Sequence, residues 1–311
     1  MISLPESVSA YLELRRSLGF RLKKDERLLL DFADFMEQRH ATHIKAKLAV
    51  QWARQPASDD MNYLAGRLRA VRSFARYRIQ SDPLTEIPAA DLLPRRRITF
   101  QPHIFSREEI ELILADSFRK RKGLKPITRL GRYTIYGLLS VTGMRVSEAL
   151  NLDLGDVDLD RGVITIRNTK FGKSRLVPVH ATTCAALRYY REQRDAFLAG
   201  SNSQPFFISQ LGHRICHGGL DRSFRRLTRR LGMRGISAHK GPRLHDLRHS
   251  MAVEVLRRCY QTGADPERRL PALSTYLGHT HLNYTYWYLH QNPGLMTEAV
   301  GRLQHRWETP S

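Results

Sequence analysis

Two stretches in the first third of the chain carry apolar residues at helical spacing. Between Leu12 and about Gln38 these are Leu28, Leu29, Phe32, Phe35 and Met36, and a later stretch repeats the pattern at Tyr63, Leu64, Leu68, Val71, Phe74 and Ala75. Recurrence at three and four residues is typical of amphipathic helices. We therefore predict a small helical unit over residues 1–95.

A change of pattern separates this unit from the rest of the chain. Residues 91–102 combine prolines with a basic triplet and show no periodicity, which is typical of a linker between domains. Ser106-Arg-Glu-Glu109 then has the spacing of a capping box and predicts the start of a new helix. We place the linker at 96–103 and a second domain at 104–311.

The second domain alternates between two periodicities. Residues 132–141 form an apolar run of helical type, whereas 162–167 and 175–179 alternate like strands around Lys170-Phe-Gly-Lys173. Two such strands predict a β-hairpin. Helical patterns resume at about 181–198, 218–231, 243–259 and near 284–290. The predicted fold class is mainly α with a small β-hairpin or sheet.

Charge gives a first indication of a partner. The chain has 51 Lys and Arg against 30 Asp and Glu, which gives a formal net charge of +21. Such an excess favours binding to nucleic acid, although a ribosomal or generally adhesive basic protein has the same balance. The arginines on the first helices fit either a DNA-contacting face or an ordinary solvated surface.

Other bulk features exclude several classes of protein. The three cysteines, Cys184, Cys216 and Cys259, are widely spaced and form no CxxC pair, which argues against a disulfide framework or a zinc ribbon. The N-terminus lacks the pattern of a secretory signal. No stretch approaches the roughly 18 apolar residues of a membrane helix, and we expect a cytoplasmic, nucleoid-associated protein.

The first candidate for chemistry is an arginine that follows a glycine. In Thr142-Gly-Met-Arg-Val-Ser-Glu148, a helical chain would place Glu148 one turn beyond Arg145 on the same face. A guanidinium offers a planar fork of donors for two phosphate oxygens, and a carboxylate can fix its orientation. An ordinary surface ion pair is the alternative for this motif taken alone.

Two further motifs add histidines and a second arginine. In His245-Asp-Leu-Arg248 the spacing would bring both side chains to one spot on a helix, where a histidine can donate to a phosphate or transfer a proton. His279 follows a Leu-Gly pair. A solvated or core-edge histidine is the alternative in each case.

A tyrosine-rich segment and the predicted hairpin tip complete the set. Tyr288 lies nine residues after His279, within a stretch whose other aromatic residues could serve as core. A phenol with a pKa of about 10 needs assistance to attack at neutral pH. Lys170 at the hairpin tip could protonate a leaving oxygen, and Lys173 fits better as a contact to backbone phosphates.

The order and spacing of these motifs resemble the tyrosine recombinase, or phage integrase, family over about residues 104–295. The resemblance implies that residues 104–311 are the catalytic domain and that the N-terminal helical unit, by its size and position, is a core-binding domain. It implies Glu148 as a supporting carboxylate and six catalytic residues, which are Arg145, Lys170, His245, Arg248, His279 and Tyr288.

The same resemblance implies a reaction. Tyr288 would cleave double-stranded DNA through a 3′-phosphotyrosine link, two rounds of exchange would pass through a Holliday junction, and neither a cofactor nor a metal ion would be needed. It further implies a homotetramer on paired DNA sites, with a C-terminal tail that docks on a neighbouring copy or folds back on its own.

The chain departs from the family pattern in two places. The segment between Arg248 and His279 is longer than in compact, Xer-type members, and no arm-binding domain is expected before residue 1. Both departures favour a recombinase of a mobile element, acting in integration, excision or transposition, over a resolvase of chromosome dimers. A type IB topoisomerase and a catalytically silent DNA-binding factor are the alternatives.

Overall fold

A computed structural model describes residues 3–20, 22–94, 101–167, 174–200, 203–235, 241–279, 281, 285 and 300. The chain divides into two compact units, residues 1–100 and 101–311. Each unit has hydrophobic core clusters of its own. Within the described part, no helix is long and apolar enough to cross a lipid bilayer.

The first unit is helical, as its apolar spacing predicts. Its helices are α1 (Leu4–Ser17), α2 (Lys23–Glu37), α3 (Ala46–Arg54) and α4 (Met61–Arg78). The helical character expected between Leu12 and Gln38 is interrupted between α1 and α2. There Gly19 adopts φ 84°, a left-handed conformation that glycine tolerates and that ends a helix.

Buried aromatic rings form the centre of this first core. Trp52 is completely buried, its indole Nε1 donates to Asp31 at 3.0 Å, and the guanidinium of Arg67 lies 3.9 Å from its ring centroid. Arg67 is itself buried and donates to Asp31 at 3.1 Å. One of the arginines predicted on the surface of the unit therefore belongs to its core.

The second unit is built from seven described α-helices, a short 3-10 helix (Leu154–Asp156) and a small sheet. The helices are α5 (Arg107–Phe118), α6 (Pro126–Thr142), α7 (Val146–Leu150), α8 (Ala181–Leu198), α9 (His217–Arg230), α10 (Asp246–Gln261) and α11 (Pro266–Leu277). The predicted capping box at the start of α5 is confirmed, since the Glu109 N–H donates to Ser106 Oγ at 3.1 Å.

The sheet has three antiparallel strands in the order β1 (Val157–Asp158), β2 (Val163–Ile166) and β3 (Arg175–Pro178). Ile164 pairs with Val177, and Ile166 pairs with Arg175. The predicted hairpin is therefore confirmed in its two strands. Its tip, residues 168–173, lies outside the described residues.

Helix α6 lies at the centre of the second unit and packs against α5, α8 and α10. A smaller apolar cluster joins α10 to α11 through residues that include Met251, Leu256, Leu273 and Leu277. This packing holds the end of α6, the start of α10 and the end of α11 near one another. The motifs singled out in the sequence stand at these three helix ends.

Candidate active site

Two glycines end helices just before predicted catalytic residues. Gly143 follows α6 with φ 59°, and Gly278 follows α11 with φ 68°. This left-handed conformation is the usual helix terminator and favours glycine because a Cβ atom is strained there. The chain therefore leaves α6 just before Arg145 and leaves α11 just before His279.

Arg145 is held by Glu148, as the spacing predicts. Its backbone N–H donates to Glu148 Oε2 at 2.8 Å, and its Nη1 donates to Glu148 Oε1 at 2.7 Å. The arginine caps the short helix α7, and the carboxylate lies in the first turn of that helix. The Arg145 side chain remains 35% exposed, so its guanidinium is both oriented and accessible.

Glu148 also binds a second arginine, which the sequence analysis did not predict. Arg175 donates from Nη1 to Oε1 at 3.0 Å and from Nη2 to Oε2 at 2.7 Å. Burial alone would raise the pKa of Glu148, but the hydrogen bonds from Arg175 and Arg145 outweigh it and lower the pKa below 4.5. The carboxylate is therefore ionised at neutral pH and shared between two guanidinium groups.

Arg248 is buried where α10 meets the ends of α6 and α11. Only 2% of the residue is exposed, its Nη1 donates to the Gly143 carbonyl and its Nη2 to the Leu277 carbonyl, each at 2.8 Å. The Asp246 carboxylate, which is completely buried, accepts from the Arg243 backbone N–H at 2.9 Å. These contacts fix the start of α10, which His245 directly precedes.

The carboxyl end of α11 is a meeting point for three arginines. Its last carbonyls and that of its capping glycine accept one hydrogen bond each, from Arg175 to Tyr276 at 3.0 Å, from Arg248 to Leu277 at 2.8 Å and from Arg145 to Gly278 at 3.0 Å. Carbonyls at a helix end lack partners within the helix and carry partial negative charge. They therefore bind the three guanidinium groups, and their partial charges do not cancel the positive charge of the arginines.

The two predicted histidines lie in this cationic surrounding. Partial desolvation of each ring, and then the positive charge of Arg248, lower the pKa of His245 and of His279 to about 4. His279 Nδ1 lies 2.8 Å from the hydroxyl oxygen of Thr285, a buried residue. Both imidazoles are neutral at pH 7, so each has one nitrogen that accepts and one that donates.

His249 is a third histidine beside the site, and the sequence analysis gave it no role. Its ring contacts the His245 ring edge to face, with centroids 4.9 Å apart. Burial, and then the proximity of His245, lower the pKa of His249 to about 3. The repeated histidine in HDLRH was the available signal, because residues four apart on a helix share a face.

The structure thus brings together Arg145, Glu148, His245, Arg248 and His279. Arginine and imidazole donors this close together, with the Arg145 side chain 35% exposed, suit a phosphate whose charge increases in a transition state. Lys170 and Tyr288, the remaining predicted catalytic residues, lie outside the described residues. Among the residues that are described, no three His, Cys, Asp or Glu side chains group as metal ligands would.

Comparison with known proteins places the chain in a family. Residues 107–294 match the phage integrase family. The chain is 48% identical to the Sinorhizobium fredii protein named "Putative integrase/recombinase y4rB", over 99% of both chains. It is 27% identical to tyrosine recombinase XerC of Chlamydia caviae, over 72% of this chain and 66% of that one.

The fold agrees with this match. The integrase of transposon Tn1549, solved in complex with transposon right-end DNA, superposes with a TM-score of 0.67 at 17% identity over 98% of this chain and 99% of that one. The helical fold with its small sheet, and the arginines and histidines at three helix ends, agree with a tyrosine recombinase. The chain belongs to the phage integrase family, and its function is site-specific recombination.

Proposed function

We propose that this protein cleaves and rejoins double-stranded DNA through a 3′-phosphotyrosine at Tyr288. The observation that carries the proposal is the convergence of Arg145, Arg248, His245 and His279 at three helix ends. These side chains would surround one scissile phosphate and stabilise the charge that develops on its oxygens.

In the proposed cleavage step, the phenol oxygen of Tyr288 attacks phosphorus and the bond to the 5′-oxygen breaks. Lys170 donates a proton to the departing 5′-oxygen. A phosphate bound between His245 and His279 raises their proton affinity, so a neutral imidazole can accept the phenol proton. A 5′-hydroxyl from a partner duplex then reverses the step, and two rounds of exchange proceed through a Holliday junction.

Basic surface away from the site supports double-stranded DNA as the partner. Helix α9 exposes five arginines, which are Arg222, Arg225, Arg226, Arg229 and Arg230. The loop before α6 reads Arg119-Lys-Arg-Lys-Gly-Leu-Lys125. The buried Asp116 carboxylate accepts from both Arg121 and Arg230, which joins helix and loop into one basic surface. Such a surface neutralises backbone phosphates.

We assign the first unit to a core-binding role and expect a homotetramer on paired sites, with exchange of the tail from Pro293 to Trp307. A groove of about 1200 Å³ between α5, α6, α8 and α10, lined by apolar residues such as Leu114, Val141 and Met251 together with charged ones, supports this exchange, because the tail carries apolar residues at helical spacing. Deletion of residues 293–311 should abolish assembly on paired sites and preserve binding to one site. Unchanged assembly would contradict the exchange.

The relatives named as integrases or recombinases support a role in moving a mobile genetic element. That role would place the protein in the cytoplasm, on the nucleoid. The position of strand exchange on a defined plasmid distinguishes recombination from a topoisomerase. Junctions at one sequence are expected, and relaxed circles without junctions would favour the topoisomerase.

A nicked suicide substrate tests the cleavage chemistry, because loss of a short strand traps the covalent complex. With a chelator present, the wild type should form an adduct that resists detergent. Arg145→Ala and Arg248→Ala should slow its formation by about 10²–10³-fold and keep much of the DNA affinity. Failure of the wild type to form an adduct on its own target would overturn the proposal.

A further inference from the structure

Arg175 lies at the first position of β3, and its guanidinium joins this strand to two other parts of the site. Nη1 and Nη2 bind the two oxygens of Glu148 in α7, and Nε binds the Tyr276 carbonyl at the end of α11. The side chain is 13% exposed, compared with 35% for Arg145. The donors of Arg175 are therefore directed at protein groups, and those of Arg145 remain within reach of a ligand.

We propose that Arg175 is a positioning residue of the recombination reaction, which holds Glu148 and the end of α11 so that Arg145 meets the scissile phosphate in a fixed orientation. This inference rests on the proposed cleavage chemistry. It adds to the six proposed catalytic residues and the supporting Glu148 a side chain that acts through another arginine.

The geometry of Glu148 shows why a second arginine is needed. Each carboxylate oxygen accepts one hydrogen bond from Arg145 and one from Arg175. With Arg145 alone, the carboxylate would be held at Oε2 by a backbone N–H and at Oε1 only by the guanidinium that it is meant to orient. The two-pronged contact from Arg175 fixes the plane of the carboxylate, and Arg145 then binds an acceptor that does not move.

Arg175 also packs against Gly278, which gives it a second contact through which it can position the site. A Cβ atom at Gly278 would lie 2.7 Å from Arg175 Nη1 and 2.9 Å from Cζ, so the guanidinium lies directly against the turn that precedes His279. Arg175 also begins the strand that follows residues 168–173, which contain Lys170. It therefore connects the hairpin strand to both the Arg145 helix and the His279 turn.

Arg175→Gln and Arg175→Lys separate positioning from charge. Lysine keeps the positive charge but has no planar fork, so it cannot bind both carboxylate oxygens and the Tyr276 carbonyl. A displacement of about 1 Å in a reacting group can cost about 10²-fold in rate. We expect both variants to slow cleavage of the suicide substrate by about that factor, with DNA affinity close to that of the wild type.

Arg214→Gln is the matched control. Arg214 also joins a carboxylate to backbone carbonyls in the second unit, because it binds Asp153 at 2.5 Å and the Leu150 carbonyl at 2.8 Å, and its loss removes the same charge. We expect Arg214→Gln to lower stability without the specific loss of cleavage rate. An equal loss of rate at matched stability in both variants would overturn the inference.

Two further measurements isolate the route through Glu148. In a Glu148→Gln background the added effect of Arg175→Gln on the cleavage rate should shrink to the part that acts through the end of α11, and fully additive effects would contradict the inference. The NMR signal of the Arg145 Nε–H group, identified by its loss in Arg145→Lys, should shift and exchange faster with water in Arg175→Gln. An unchanged signal would overturn the positioning role, whether or not the wild type forms an adduct. Absence of a wild-type adduct would instead refute the cleavage chemistry.

Discussion

Replacement of Glu148 by glutamine tests how much the shared carboxylate stabilises the site. The substitution keeps the shape of the side chain and removes its charge. The four hydrogen bonds that reach Glu148 end on two oxygens, two on each. An amide nitrogen accepts none, so Glu148→Gln loses two of these bonds and leaves two guanidinium groups without a counter-charge.

The cost follows from the strength of such bonds. A hydrogen bond to a charged group contributes about 1.5–3 kcal/mol, so two of them amount to about 3–6 kcal/mol, in line with the about 3–5 kcal/mol for breaking a buried ion pair. Because the Arg145 side chain is 35% exposed, water replaces part of what it loses. We therefore expect about 3–4 kcal/mol, a large share of the roughly 5–15 kcal/mol that stabilises a domain.

Urea unfolding followed by circular dichroism measures this difference at pH 7. Glu111→Gln is the control, because the Glu111–Arg107 pair on α5 is 64% and 88% exposed and should contribute less than about 1 kcal/mol. The folded-state pKa of Glu148 lies below 4.5, so its contribution is present above that pH and lost as pH falls through the folded pKa. A loss below about 1 kcal/mol for Glu148→Gln would refute this reasoning.

Three further predictions address other parts of the second unit. Burial, and then His245, lower the pKa of His249 from 6.5 to about 3, so protonation favours the unfolded chain and stability falls as pH drops below about 6.5. His249→Gln should reduce the slope of the unfolding free energy against pH by up to about 1.4 kcal/mol per unit, and an unchanged slope in urea unfolding at several pH values would contradict this. Arg226→Ala and Arg229→Ala on α9 should each weaken DNA binding at every sequence and lower the salt dependence by about one phosphate contact; fluorescence anisotropy at increasing salt would show no such change if α9 did not touch DNA. Gly143→Ala should destabilise the protein by about 1–2 kcal/mol because of its left-handed conformation, the more so as a Cβ would lie 2.5 Å from Met251 Cε; a melting temperature equal to that of the wild type would show that the turn adapts.

The local part of the site could be predicted from the sequence. Glu148 follows Arg145 by three residues, and a helical turn alone brings them together. Gly143 and Gly278 indicate helix ends, and predicted catalytic residues follow each of them within two positions. The strand pairing also followed from alternation, since Ile164 and Val177 face each other in the hairpin.

Arg175 was missed because its partner Glu148 lies 27 residues away in the sequence. A signal was nevertheless present. Alternate residues of a strand share a face, so Arg175 lies on the same side of β3 as Val177, which is buried. A charged residue at an inward position requires a buried partner of opposite charge, and Glu148 was the carboxylate to consider.

Helix α11 could not be read from local signals. Pro266 is tolerated in its first turn, but Pro271 stands inside it, and an internal proline argues against a helix. Tertiary contacts override this preference, because Leu270, Leu273 and Leu277 are buried against α10. The three carbonyls that gather the arginines therefore appeared only when the fold was known.

The identity of the nucleophile is the most direct test of the account. After the suicide substrate has reacted, the covalent complex is digested with protease and nuclease, and the modified peptide is sequenced by mass spectrometry. We expect a nucleotide esterified to the phenol oxygen of Tyr288, and no adduct from Tyr288→Phe. A nucleotide attached to Tyr284, Tyr286 or any other side chain, or an adduct that persists in Tyr288→Phe, would contradict it.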